Sequence, residues 1–252
     1  MDKGSKSGFT IIEVVLFLAI TGLIMSVMLV GIGNSINQER YRDASTSLLG
    51  YLQGQYNSTV NVSNTRAKNQ PCTGVGTDDG RGTSDCFIVG RVLTGIKTQT
   101  DSNGTRHVIE SRPVYASVDL RPSDPALIGK TDVEILRLSG LTQGSEVESY
   151  AMEWGTKLVR PTGDPAGDST FTILIIRMPT SGIIHTYVMS SLDRTPSQVL
   201  TSTVLPAEPT VDFKACLEPA GLIKSAQALT GVRVTKNAAN SGGVKFVAAG
   251  DC

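Results

Sequence analysis

Residues 14–33 contain no charged side chain, and Thr21 and Ser26 are the only polar ones among them. At 1.5 Å per helical residue the run covers roughly 30 Å, the thickness of a bilayer's hydrocarbon core. Nothing comparable follows in the chain. The pattern therefore predicts one membrane segment near the N-terminus, with the rest of the protein on one side of the membrane. The stretch beyond it continues Gly31-Ile32-Gly33-Asn34-Ser35-Ile36 and lacks the small-residue cleavage site of a secretory signal. The anchor is expected to be kept. Lys3 and Lys6 precede it, whereas Arg40 and Arg42 are offset by Glu39 and Asp43, so the positive-inside rule puts the N-terminus in the cytoplasm.

Glu13 is out of place in an ordinary anchor. It stands among Ile11, Ile12, Val14 and Val15, and a carboxylate at the bilayer centre costs about 2.5–3.5 kcal/mol, less near the interface. Snorkelling to the headgroups is one way to meet that cost. A partner of opposite charge is another.

The string Gly8-Phe9-Thr10-Ile11-Ile12-Glu13 resembles the prepilin peptidase signal of type IV pilins, type II secretion pseudopilins and competence pseudopilins. The resemblance covers about the first 55 residues. It implies a basic leader ending at Gly8, a mature N-terminus at Phe9 that is N-methylated, and Glu13 as the fifth mature residue. The implied partners are the prepilin peptidase, other pilin subunits, an inner membrane assembly platform and membrane lipid. In such a filament the Glu13 carboxylate of one subunit neutralises the Phe9 amine of a neighbour, so that ion pairing sets the axial register. The length of the mature chain favours a minor subunit. The resemblance places the protein in the cytoplasmic membrane as a single-pass chain, C-terminus out, before assembly, and in an extracytoplasmic filament afterwards.

No proline occurs between Met1 and Gln70, so one helix is predicted over residues 9–56. Its anchor half covers 9–33. In the second half, 34–56, Ile36, Tyr41, Ala44, Leu48, Leu52 and Tyr56 recur at helical spacing, with Asn37, Arg40, Asp43 and Gln53 on the other side. Pilin-like proteins lay such a stripe against a β-sheet. Residues 57–85 read as a loop. Short β-branched runs follow at 86–93, 106–118, 133–138, 150–159, 171–178, 182–189, 211–217, 231–235 and 243–248, with a hairpin turn at Met178-Pro179-Thr180-Ser181-Gly182. A short helix is expected around 221–229. The predicted class is α+β: a leader over 1–8, a long N-terminal helix, and an extracytoplasmic domain over 57–252. That domain is an antiparallel β-sheet, or a β-sandwich, since no helices alternate with the strands.

Cys72, Cys86, Cys216 and Cys252 form no Cys-x-x-Cys pair, and His107 and His185, expected on strand faces, complete no zinc site. An even count in an extracytoplasmic domain favours two disulfides, with three connectivities open. Cys72–Cys86 with Cys216–Cys252 is preferred because each pair brackets a Gly-rich or irregular stretch, and the second resembles the C-terminal disulfide loop of type IV pilins. Free thiols are the alternative.

Lys plus Arg equals Asp plus Glu at 23 each, so no bulk charge draws the chain to nucleic acid. The tail over 211–252 carries Lys214, Lys224, Arg233, Lys236 and Lys245 against Asp212, Glu218 and Asp251, a small excess for a DNA surface. Asp78, Asp79 and Asp85 lie in a Gly-rich loop without EF-hand spacing, so a solvated loop is preferred to a calcium site. No nucleophile elbow, phosphate loop or zinc-protease motif occurs. The expectation is a non-enzymatic filament subunit without cofactor or metal. The alternative is a single-pass membrane-anchored binding protein or adhesin that does not polymerise.

Overall fold

A computed structural model describes residues 8, 10–61, 87–101, 104–116, 125, 127–139, 141–159, 171–189, 212–219, 221–223, 230–236, 238–247 and 249–252. Helix α1 runs from Ile11 to Val60, 50 residues without a break, or about 75 Å. Thr10 caps it, its hydroxyl accepting the Glu13 amide at 3.3 Å. The hydroxyls in the apolar half are satisfied within the helix: Thr21 donates to the Phe17 carbonyl and Ser26 to that of Gly22, each at 2.8 Å. That leaves no orphan hydroxyl facing outward from the apolar half. The helix passes the expected end at Tyr56 and reaches Val60, because Thr59 is fully buried and donates to the Gln55 carbonyl at 2.9 Å.

Two antiparallel sheets flank the second half of α1. The first contains β1 (Phe87–Asp101), β2 (Gly104–Ala116), β3 (Thr142–Gln143), β4 (Glu148–Ala151), β6 (Phe171–Arg177) and β7 (Ile184–Met189). Its order is β3-β2-β1-β6-β7, with β4 also paired to β2. The second contains β5 (Lys157–Val159), β8 (Phe213–Glu218), β9 (Gly231–Val234) and β10 (Val244–Val247), in the order β10-β9-β8-β5. With a long apolar N-terminal helix and antiparallel sheets, the layout is α+β.

The core explains the sequence pattern. Tyr41, Ala44, Leu48, Leu52 and Tyr56 of α1 meet Leu93, Ile109, Ile173 and Ile175 of the first sheet and Phe213, Leu217, Val232 and Val244 of the second. The rings of Phe171 and Phe213 join the sheets at 4.4 Å. Behind the first sheet a second cluster gathers Val92, Val114, Leu174, Ile176 and Tyr187 against Val133 and Leu136. Phe171 through Ile176 is consequently buried at every position, as expected of a strand covered on both faces.

Two strand expectations need correction. Residues 133–138 are helical: α2 spans Asp132–Leu138. Thr131 and Glu134 form a capping box, with the Thr131 amide donating to Glu134 at 2.7 Å, and this nucleates the turn. Residues 150–159 are not one strand. β4 belongs to the first sheet and β5 to the second, and a 3-10 turn at Glu153–Gly155 carries the chain between them.

The hairpin between β6 and β7 closes with the Met178 amide donating to the Ile183 carbonyl at 2.8 Å. Gly182 supplies the left-handed backbone there, at φ 68°. Asp132 of α2 clamps the same turn, accepting the Thr180 amide at 2.9 Å and the Ser181 hydroxyl at 2.5 Å.

Candidate functional site

Three regions bear on function: the start of α1, the seam where its second half meets the sheets, and the underside of the domain where α1 emerges.

At the start, Gly8 and Glu13 are exposed, and Phe9 lies outside the described residues. Glu13 occupies the first turn of α1, where its carboxylate faces the positive end of the helix dipole. Its backbone amide is held by Thr10, whereas its carboxylate has no partner among the described residues. From Ile11 through Ile36 the large apolar side chains all stand open, Phe17 at 66% and Leu29 at 69% exposure. Within α1 the most apolar window has mean hydropathy 2.6 and none of it is buried in the chain's own fold. Such a segment matches a membrane anchor or a signal in length and composition.

At the seam, polar contacts fix how α1 sits on the sheets. The Tyr41 hydroxyl donates to the Leu217 carbonyl and accepts the Thr230 amide, both at 2.8 Å. Gln55 is 2% exposed yet fully engaged. Its carbonyl accepts Ser111 at 2.7 Å and Arg91 at 3.3 Å, while its amide donates to Glu148 at 3.2 Å. Arg91 and Glu148 pair at 2.8 Å. Thr186 donates to the Ala238 carbonyl at 2.9 Å, so Tyr56 is the donor in its 2.8 Å bond to Thr186. Burial raises the Tyr56 phenol to about 12. Gln55 was not singled out from sequence, where a lone glutamine beside an apolar stripe carries no mark. Its engagement depends on partners far along the chain.

Cys216 and Cys252 are bonded, with Cα atoms 5.6 Å apart. Gly231 makes room: a Cβ there would lie 2.3 Å from the Ala215 carbonyl and 2.9 Å from the Cys252 sulfur. Cys72, Cys86, Asp78, Asp79 and Asp85 lie outside the described residues. His107 falls on β2 and His185 on β7, both half-buried. Within the basic tail, cross-strand register aligns Lys214, Arg233 and Lys245 on neighbouring strands of the second sheet. Asp212 binds the Arg233 guanidinium, its Nε at 3.0 Å, and accepts the Lys236 amide at 2.8 Å, which diminishes the free positive charge of that face.

At the underside, Trp154 has φ 55° and ψ 24°, a left-handed conformation that costs a bulky residue about 1–3 kcal/mol. The indole NH donates to Asp43 at 3.0 Å, and the Arg40 guanidinium lies 4.9 Å over the ring. The side chain remains half exposed. On another side of α1, Phe246 joins Asn34, Asn37, Leu222 and Ile223 around a groove. Neither aromatic residue was marked in the sequence, because each becomes notable only through its proximity to α1.

Comparison with protein-family models, curated proteins and solved structures found no match.

Proposed function

We propose that the chain is a structural subunit of a type IV pilus or a related filament, of the minor pilin or pseudopilin kind, and that it has no catalytic role. The observation that carries this reading is the continuity of α1. One helix joins an exposed apolar half, entered through a Glu13 that has no partner among the described residues, to a half that forms the spine of an antiparallel domain. The exposed half requires cover, and lipid before assembly and neighbouring helices afterwards both provide it. On this reading the peptidase cleaves after Gly8, Phe9 becomes the methylated N-terminus, and the amine of one subunit compensates Glu13 of the next. Taking both charges out of water is costly unless they meet in one geometry, so the pair selects a register.

The test is mass analysis of the membrane-extracted protein from cells with and without a prepilin peptidase. A mature N-terminus at Phe9 only in the first case supports the reading. An intact leader in both defeats it and leaves a plain membrane-anchored binding protein. Glu13→Ala should insert normally while entering filaments poorly.

A further inference from the structure

We propose that the underside of the globular domain, carrying Trp154 on one flank of α1 and Phe246 on the other, rests in the headgroup layer of the membrane that α1 crosses. The inference depends on α1 being a membrane anchor, and it adds a lipid contact made by the β domain itself.

The argument begins with height along the helix. Tyr41 is the first buried residue of α1, so the domain's packing against the helix starts there. Ile36 is the last large apolar side chain of the exposed half. Arg40 lies about one turn beyond Ile36, ~6 Å along the axis, and the headgroup zone on each side of a bilayer is roughly 5–7 Å deep. Asn34 and Asn37, beside Phe246, therefore fall at headgroup height when the apolar half spans the bilayer, while Trp154, which touches Arg40 and Asp43, stands at the outer edge of that layer.

The side chains found at that height suit such a layer. Trp154 and Phe246 are each 49% exposed. Trp154 is the single tryptophan of the chain. Its indole NH is committed to Asp43 and one ring face to Arg40, so the remaining exposed surface is aromatic carbon. Phe246 borders the groove with Asn34 and Asn37, which follow the apolar run directly, and Leu222 and Ile223 complete its apolar wall. An aromatic body with a polar rim is the composition found at membrane–water interfaces. The Phe246 groove reaches Asn34, the residue that ends the apolar run of α1, so the patch borders the lipid-covered half of the helix, which makes lipid the occupant. Arg42 pairs with Glu39 at 3.5 Å, so attraction to the layer should not require anionic lipid.

The full chain, reconstituted into phosphatidylcholine vesicles, carries its own reporter in Trp154. Vesicle flotation after an alkaline carbonate wash establishes whether α1 inserts. Trp154 emission is then read with lipids brominated near the carboxyl end of the acyl chain and with aqueous iodide. A second measurement moves the probe by combining Trp154→Phe with Phe246→Trp. The expected result is a blue shift on passing from detergent to vesicles, loss of emission with the brominated lipid, and protection from iodide, for both probe positions. Co-floating protein whose Trp154 stays open to iodide and insensitive to bromine overturns the docking while sparing the anchor. Protection that ignores bromine and rises with protein-to-lipid ratio also overturns it, since a second copy would then cover the surface. Failure to float overturns the anchor reading itself.

Discussion

The hydroxyl of Tyr41 donates to the carbonyl of Leu217 at 2.8 Å, across 176 residues of sequence. The same oxygen accepts the Thr230 amide at 2.8 Å, so one side chain of α1 satisfies backbone groups on both sides of the β8–β9 connection. Removing it by Tyr41→Phe leaves those groups unpaired under a packed helix. The expected loss is about 1–3 kcal/mol, read as a lower urea midpoint with unchanged slope. A midpoint within error of wild type would show that water replaces the hydroxyl without cost.

The Cys216–Cys252 bond closes a separation of 36 residues. In the chain-entropy model this is worth about 4 kcal/mol. Cys252→Ser should lower stability by that order, and reduction of the wild type should reproduce most of the drop. Gly231→Ala offers an independent check, since its added carbon meets the Ala215 carbonyl and the Cys252 sulfur. It should yield protein with reactive thiols or a fall in thermal midpoint.

Acid should weaken the clamp on the β6–β7 hairpin. Partial burial pushes the Asp132 carboxyl up, but the bonds from Ser181 and Thr180 together outweigh it and hold the group below its ordinary range. Asp212 is lowered too, chiefly by the Lys236 amide, against some burial and with help from Arg233. A carboxylate depressed in the folded state contributes stability that is fully present above the unfolded value, about pH 4, and is lost as pH falls through the folded value. Thermal midpoints measured from pH 6 to pH 2 should therefore decline below about pH 4. Asp132→Asn should start lower and decline less steeply.

Alkali acts on the tyrosines. Burial raises the phenol of Tyr187 to about 12, slightly opposed by Arg137, and Tyr56 behaves similarly. Their unfolded value is about 10, so the unfolded chain releases these protons first. Stability is complete below that pH and falls as pH rises toward the folded values. Absorbance at the phenolate band should lag the free-tyrosine curve and then rise together with loss of ellipticity. A titration with all six tyrosines following the free-amino-acid curve in folded protein would contradict this.

How far the sequence discloses the molecule differs by element. The apolar run, the amphipathic stripe from Tyr41 to Tyr56 and the Phe171–Met178 strand depend on periodicity and apolar length, which survive in any context, and they appear in the fold. Val133–Leu138 misleads because its β-branched and leucine residues suit a buried strand, although Thr131 and Glu134 at capping-box spacing already announced a helix. The interruption at Trp154 was not legible, since left-handed backbone is ordinarily the province of glycine and asparagine. The seam contacts were hidden for another reason. Gln55 meets Arg91, Ser111 and Glu148 only once three strands have assembled. Glu13 was visible at once as a carboxylate at the head of an apolar run, whereas the described residues of one copy give it no partner.

The uninterrupted helix also has a mechanical consequence. A pull on the N-terminal end of α1 meets no break in the helix before reaching the domain. It loads Tyr41, Gln55 and Tyr56 together, in shear along the axis, and through them both sheets. Bonds stretched side by side share a force that would break them singly if met in turn. The domain is thereby gripped along its length by the rod that tethers it.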